Sequence, residues 1–225
     1  MEESLREKLD RVEERLSRAL ARCGRSRGEV TLLAVTKVFP YQAIEAAYAL
    51  GLREFGENYV REFEAKHPHV KSLPGARFHL IGHLQSNKTR RAGELFDVIE
   101  TVDSAKLARR LNEGPRRLDV MIEVKLSPEG SKSGAAPMEL PALIEAVRGC
   151  SNLRLTGLMT MPPWSEDPEE SRPYFRRLRE LAASHGLTGL SMGMSHDFEA
   201  AIEEGSTCIR VGTALFGRRP KPEAA

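Results

Sequence analysis

A chain of 225 residues with 40% hydrophobic and 29% charged residues can bury a core without a disulfide or metal staple, so it reads as one large domain or two small ones. Its 34 Lys and Arg against 32 Asp and Glu leave a net charge of +2, which argues against the basic footprint of a nucleic-acid binder. No apolar run has the length of a membrane span, the opening MEESLREKLDRVEERL is too charged for a secretory signal, and Cys23, Cys150 and Cys208 are too dispersed for a disulfide framework or a zinc ribbon, so a cytoplasmic protein is expected.

The first element is an amphipathic helix: Leu5, Leu9, Val12, Leu16 and Leu20 recur at spacings of three and four, and Gly24 stops the run. Eight β-rich runs follow, over 30–37, 52–57, 78–82, 96–102, 118–125, 153–160, 189–193 and 207–212. Helical patterns lie between most of them, over 41–50, 60–67, 86–93, 104–113, 138–148, 169–186 and 196–204. Several strands are continuously apolar, as strands covered on both faces are. Eight such alternations predict an α/β fold, a single (β/α)8 TIM barrel with an extra N-terminal helix. A doubly wound open sheet would use fewer strands and a glycine-rich turn after the first, where this chain has Thr36-Lys37-Val38-Phe39-Pro40. The barrel domain is expected over 1–217, with 218–225 a frayed tail.

In such a barrel, chemistry collects where strands end at their C-termini. Lys37 closes the first strand, Asn58 follows the second, His83 follows the third, and SKSG (131–134) lies after the fifth. An amine at the end of an apolar strand is partly desolvated and nucleophilic, and such a lysine forms Schiff bases with aldehydes. The alternative is a lysine that snorkels into solvent. The loops after strands 7 and 8 are the recurrent phosphate site of the fold, and here they carry Ser195, Gly212 and Thr213. Ser195 precedes a helical run whose N-terminus favours an anion; the alternatives are a plain N-cap for Ser195 and a plain tight turn for Gly212. Closure sets strand 8 beside strand 1, so a ligand bearing a phosphate and an aldehyde would span the two features. Pyridoxal 5′-phosphate is such a ligand. Arg210 shares its strand parity with Gly212 and so can face the same place, or form an outward salt bridge. Lys88, Lys125 and Lys132 are competing amines, Lys125 foremost because it also ends a strand. His79 and His83 do not form a metal motif, and His79 reads as packed in the barrel.

The stretches LLAVTK (32–37), FGENYVRE (55–62), FHLIGHLQSNK (78–88), SKSG (131–134), GLMTMP (157–162), LSMGMSHDFEAAI (190–202) and IRVGTALFG (209–217) run in order through nearly the whole chain. Together they resemble the pyridoxal phosphate homeostasis proteins, a family related to the N-terminal barrel of alanine racemase. Arg61 and Thr160 depart from the family pattern. The resemblance implies that Lys37 carries the cofactor covalently. It also implies that Ser195, Gly212 and Thr213 hold the phosphate, that Arg210 faces the pyridine nitrogen, and that Asn58 and His83 help wall the ring. A racemase of this type has a second, β-rich domain that supplies an opposing base. Only eight residues follow Gly217 here, so a non-catalytic carrier taking part in intracellular cofactor homeostasis is expected, with a small amino-acid racemase as the alternative. Apo-enzymes that use the cofactor are the expected partners, and a monomer is the expected state.

Overall fold

The computed structural model describes residues 3–127 and 133–217. Ser131 and Lys132 of SKSG, and the 218–225 tail, lie outside the described residues.

Helix α1 (Leu5–Cys23) opens on Ser4, whose side chain accepts from the Glu7 amide while the Glu7 carboxylate reaches back to the Ser4 amide. This reciprocal arrangement satisfies two amides that the first turn leaves without partners. Gly24 closes the helix at φ 67°, a left-handed turn that glycine adopts without a Cβ penalty.

Eight strands follow: β1 (Thr31–Val35), β2 (Glu54–Glu57), β3 (Arg77–Leu80), β4 (Val98–Val102), β5 (Leu118–Glu123), β6 (Leu153–Met159), β7 (Gly189–Met194) and β8 (Cys208–Val211). They pair in parallel in chain order, and β8 returns to β1 with Leu33 opposite Arg210 and Ala34 opposite Val211. The predicted closed barrel is therefore present. Between the strands run α2 (Tyr41–Ala49), α3 (Val60–Val70), α4 (Thr89–Leu95), α5 (Ala105–Asn112), α6 (Leu140–Arg148), α7 (Arg172–Ser184), α8 (Phe198–Glu203) and a one-turn α9 (Thr213–Phe216). Helix α3 continues through Pro68, because so late in the helix the ring removes little of the remaining hydrogen-bond ladder. The helix expected over 86–93 begins instead as a 3-10 turn at Ser86–Lys88 before α4.

The main apolar core fills the layer between strands and helices, with Phe55, Phe63, Phe96, Phe175 and Phe198 fully buried. The barrel interior differs. It holds a small apolar cluster of Leu33, Val35, Ile81 and Cys208, and His79, Glu100, Ser191 and Arg210 are buried as well. At the N-terminal mouth, Arg77 and Arg154 grip the Asp119 carboxylate at 2.7 and 2.6 Å.

Strands β6 and β7 approach unusually closely where Gly157 faces Gly189. A Cβ on Gly157 would stand 2.1 Å from the Gly189 carbonyl oxygen. Because the obstruction is backbone, it is relieved only by parting the strands. Gly157→Ala is therefore expected to cost about 2 kcal/mol, measured as a lower midpoint in urea; an unchanged midpoint would contradict this close packing.

Candidate functional site

Strand β1 ends at Val35, and Thr36, Lys37 and Val38 turn the chain toward α2. Lys37 is half-buried at the C-terminal rim of the barrel. Its neighbour Val38 has φ 63°, a left-handed conformation that a β-branched residue adopts only at a cost of about 1–3 kcal/mol. The surroundings impose it. Val38 donates its amide to Glu62 Oε1 at 2.6 Å. On the other flank, buried Thr36 accepts from Lys66 Nζ at its carbonyl (3.0 Å) and donates its hydroxyl to Glu57 Oε1 at 2.7 Å. Lys66 Nζ also lies 2.9 Å from Glu57 and 2.6 Å from Glu62. Burial pushes the Glu57 carboxyl up, against the opposing pull of Lys66. Both residues flanking Lys37 are thus tied to one buried ionic cluster.

The β8–α9 corner lies beside this turn. A Cβ on Gly212 would meet Val35 Cβ at 3.4 Å, so the Lys37 turn and the start of α9 leave neighbouring strands at one rim. The amides of Gly212 and Ala214 both point at Ser195 Oγ, at 3.2 Å each. This removes the alternative of a plain N-cap. Ser195 is not the cap of α8; Asp197 holds that position, and its carboxylate turns back to the Met194 amide at 2.7 Å. The Ser195 hydroxyl instead gathers the donors at the opening of α9. Thr213 is exposed beside it. Helix α1 braces the same loop, with Arg15 donating to the Ser195 carbonyl at 3.2 Å and lying over the Phe198 ring.

Arg210 is buried in β8, as its parity with Gly212 suggested. Its guanidinium donates to Ser191 Oγ at 2.7 Å and to the Thr160 carbonyl at 2.8 Å. Glu123, at the end of β5, is pushed up by burial and by Asp103, while Arg210 and His83 pull the other way. Glu123 Oε2 has no hydrogen-bond partner among the described residues.

Asn58 and His83 sit at the β2–β3 edge, in the wall of a cavity of about 430 Å3 that Arg61 and Lys88 also line. The Asn58 Oδ1 is buried and without a donor among the described residues. The two strand ends touch here: a Cβ on Gly82 would lie 2.2 Å from the Asn58 carbonyl oxygen. His83 is exposed, with Nδ1 3.7 Å from Asp103.

Lys37, Ser195, Gly212 and Thr213 therefore share the β7–β8–β1 sector, Arg210 lies within the barrel next to it, and Asn58 and His83 stand on the adjoining β2–β3 edge. The rival Lys125 lies beyond β5, across the barrel from β1, with its amide on the Ala135 carbonyl at 2.9 Å. Among the described residues no His, Cys, Asp and Glu cluster could hold a metal ion. Sequence reasoning missed Glu57, Glu62 and Lys66. The Glu62–Lys66 spacing of four on one helix was the available signal.

The family model described as alanine racemase, N-terminal domain, matches residues 8–220. A pyridoxal phosphate homeostasis protein of Pseudomonas aeruginosa is 46% identical over 222 residues, covering 96% of each chain. One from Aquifex aeolicus is 42% identical, over 95% of this chain and 97% of its own. Among solved structures, PipY of Synechococcus elongatus with PLP bound is similar at a TM-score of 0.80 and 40% identity, over 91% of this chain and 99% of that one.

Proposed function

Because the chain belongs to the pyridoxal phosphate homeostasis proteins, built on the alanine racemase N-terminal domain, we propose that it binds pyridoxal 5′-phosphate reversibly through Lys37 and helps keep the cofactor in supply, without a catalytic cycle of its own. When bound, the cofactor supplies an aldehyde that exchanges between amines and a phosphate that anchors it. The observation that carries the reading is the meeting, at one rim, of the strained Lys37 turn and two backbone amides converging on a single hydroxyl. The donor set suits the group. Gly212 and Ala214 amides with the Ser195 and Thr213 hydroxyls are phosphate ligands in kind, and the orphaned Asn58 Oδ1 awaits a donor.

Each residue then has a task. Ser195, Gly212 and Thr213 hold the phosphate, Lys37 presents the amine, and Asn58 and His83 wall the ring. Arg210 offers the ring nitrogen a hydrogen bond while keeping its own proton, since a guanidinium does not deprotonate in proteins. A ring left unprotonated is a weak electron sink, which suits storage better than carbanion chemistry. Among the described residues no helix is long and apolar enough to cross a membrane, and we place the protein in the cytoplasm as a monomer that passes cofactor to apo-enzymes.

Borohydride reduction of the loaded protein followed by peptide mass analysis tests the site. A phosphopyridoxyl adduct is expected on Lys37 in the wild type and nowhere in Lys37→Ala; an adduct mapped to Lys125 would overturn the assignment. In the same preparation, amino-acid turnover at ordinary enzymatic rates, about 1–1000 per second, would overturn the carrier reading in favour of a racemase.

A further inference from the structure

A continuous chain of buried polar contacts crosses the barrel behind Arg210, and the reading above does not use it. Arg210 donates to Ser191 Oγ at 2.7 Å, and Ser191 Oγ donates to Glu100 Oε2 at 2.6 Å. The other oxygen of Glu100 lies 2.6 Å from His79 Nδ1, and His79 Nε2 lies 2.6 Å from Glu54 Oε2. The five residues come from β8, β7, β4, β3 and β2, so the chain runs from near the cofactor rim to the opposite mouth. Glu100 and Ser191 have no measurable exposure, Arg210 has 3% and His79 6%.

A barrel interior is ordinarily filled with branched apolar side chains. Desolvating the three ionisable groups Arg210, Glu100 and His79 there is costly unless each is paired and hydrogen-bonded. Packing alone does not call for it. The arrangement does settle where the guanidinium sits: Ser191 receives one of its amino groups and the Thr160 carbonyl receives the other. Arg210 has no acceptor, so the serine hydroxyl accepts from it and gives its own proton to Glu100; a single oxygen thereby links the guanidinium to the carboxylate. Burial alone would push Glu100 up, but His79, Arg210 and Ser191 outweigh it and bring it below the usual range.

We propose that Glu100, acting through Ser191, positions the Arg210 guanidinium for the ring nitrogen of the cofactor, with His79 and Glu54 completing the chain behind it. Glu100 and Ser191 are positioning residues: they act through Arg210. The proposal rests on the reading of Arg210 given above, and its test separates the two.

The probe is a pair of ligands, pyridoxal 5′-phosphate and its 1-deaza analogue, in which carbon replaces the ring nitrogen. Dissociation constants for both are measured on the full chain. A charge-assisted hydrogen bond to the nitrogen gives the wild type a preference for the natural ligand of at least about tenfold. Ser191→Ala and Glu100→Gln are expected to lose most of that preference while binding the analogue as the wild type does, and Ser191→Thr, which restores a hydroxyl, to keep it. A preference that survives in Ser191→Ala, or equal weakening of both ligands, overturns the proposal. If Glu100→Gln does not fold, Ser191→Ala against Ser191→Thr decides the question. An Arg210→Gln protein that keeps the preference would remove the underlying reading of Arg210 itself, an outcome distinct from failure of Ser191 and Glu100 alone.

Discussion

Replacing Lys66 by methionine is expected to destabilise the protein by about 3–5 kcal/mol, the range for removing one partner of a buried ion pair. Lys66 and Glu57 are both almost wholly shielded, with side-chain exposures of 8% and 0%. Without the ammonium, Glu57 keeps only the Thr36 hydroxyl, and the Thr36 carbonyl and Glu62 each lose a donor. Methionine retains the apolar stem, so the loss reports charge and hydrogen bonding rather than a cavity. The double variant Lys66→Met/Glu57→Gln should recover part of the stability, since it no longer buries an uncompensated carboxylate. Urea denaturation of the two variants checks both statements. A single variant within about 1 kcal/mol of wild type would mean that the cluster does not act as a buried pair. The same substitution loosens both residues that flank Lys37, so trapping of the cofactor at Lys37 should weaken alongside stability.

A second large effect is set by His79. Burial by itself would push its pKa down, but the hydrogen bonds and charges of Glu100 and Glu54 prevail and raise it from 6.5 to about 9. The folded state therefore binds the proton more tightly than the unfolded chain does. The resulting stabilisation is complete below pH 6.5 and is lost as pH rises from there to about 9; a shift of that size is worth about 3 kcal/mol. Glu100 works in the opposite direction and elsewhere: held below its ordinary range, its contribution is present above about pH 4.5 and is lost as the solution becomes more acid. Cys208, pushed well above its ordinary value by burial and by Glu100, affects the curve only where free thiols ionise. Unfolding free energies of wild type and His79→Gln, measured from pH 6 to 9, should converge as pH rises. Parallel curves over that interval would show that the histidine is not held protonated.

Much of the architecture was legible in one dimension. Apolar runs of strand length alternating with helical periodicity predict a closed parallel barrel, and the eight strands occur where the runs do. Strand ends marked Lys37, Asn58, His83, Ser195 and Gly212, because in a parallel sheet every C-terminal strand end faces the same rim. Parity along the eighth run allowed Arg210 to face inward or to form an outward salt bridge, and the structure buries it. The partners of these residues were not legible. Ser195 read as an anion-site residue with a plain N-cap as the alternative, and neither reading foresaw that its hydroxyl meets amides seventeen and nineteen positions away. Lys66 lay unremarked in the helical pattern over 60–67, yet it closes under Thr36 and Glu57.

What the sequence by itself determined is therefore local: the alternation of elements, their ends, and which face each side chain takes. What only the tertiary structure decided is company. Alternation along a strand specifies inward or outward, but which inward residues meet across a barrel depends on the register of all eight strands and their tilt. Ser191 and Glu100 stand 91 positions apart in the chain and 2.6 Å apart in space, a contact made by the closure of the sheet and by no pattern within either strand.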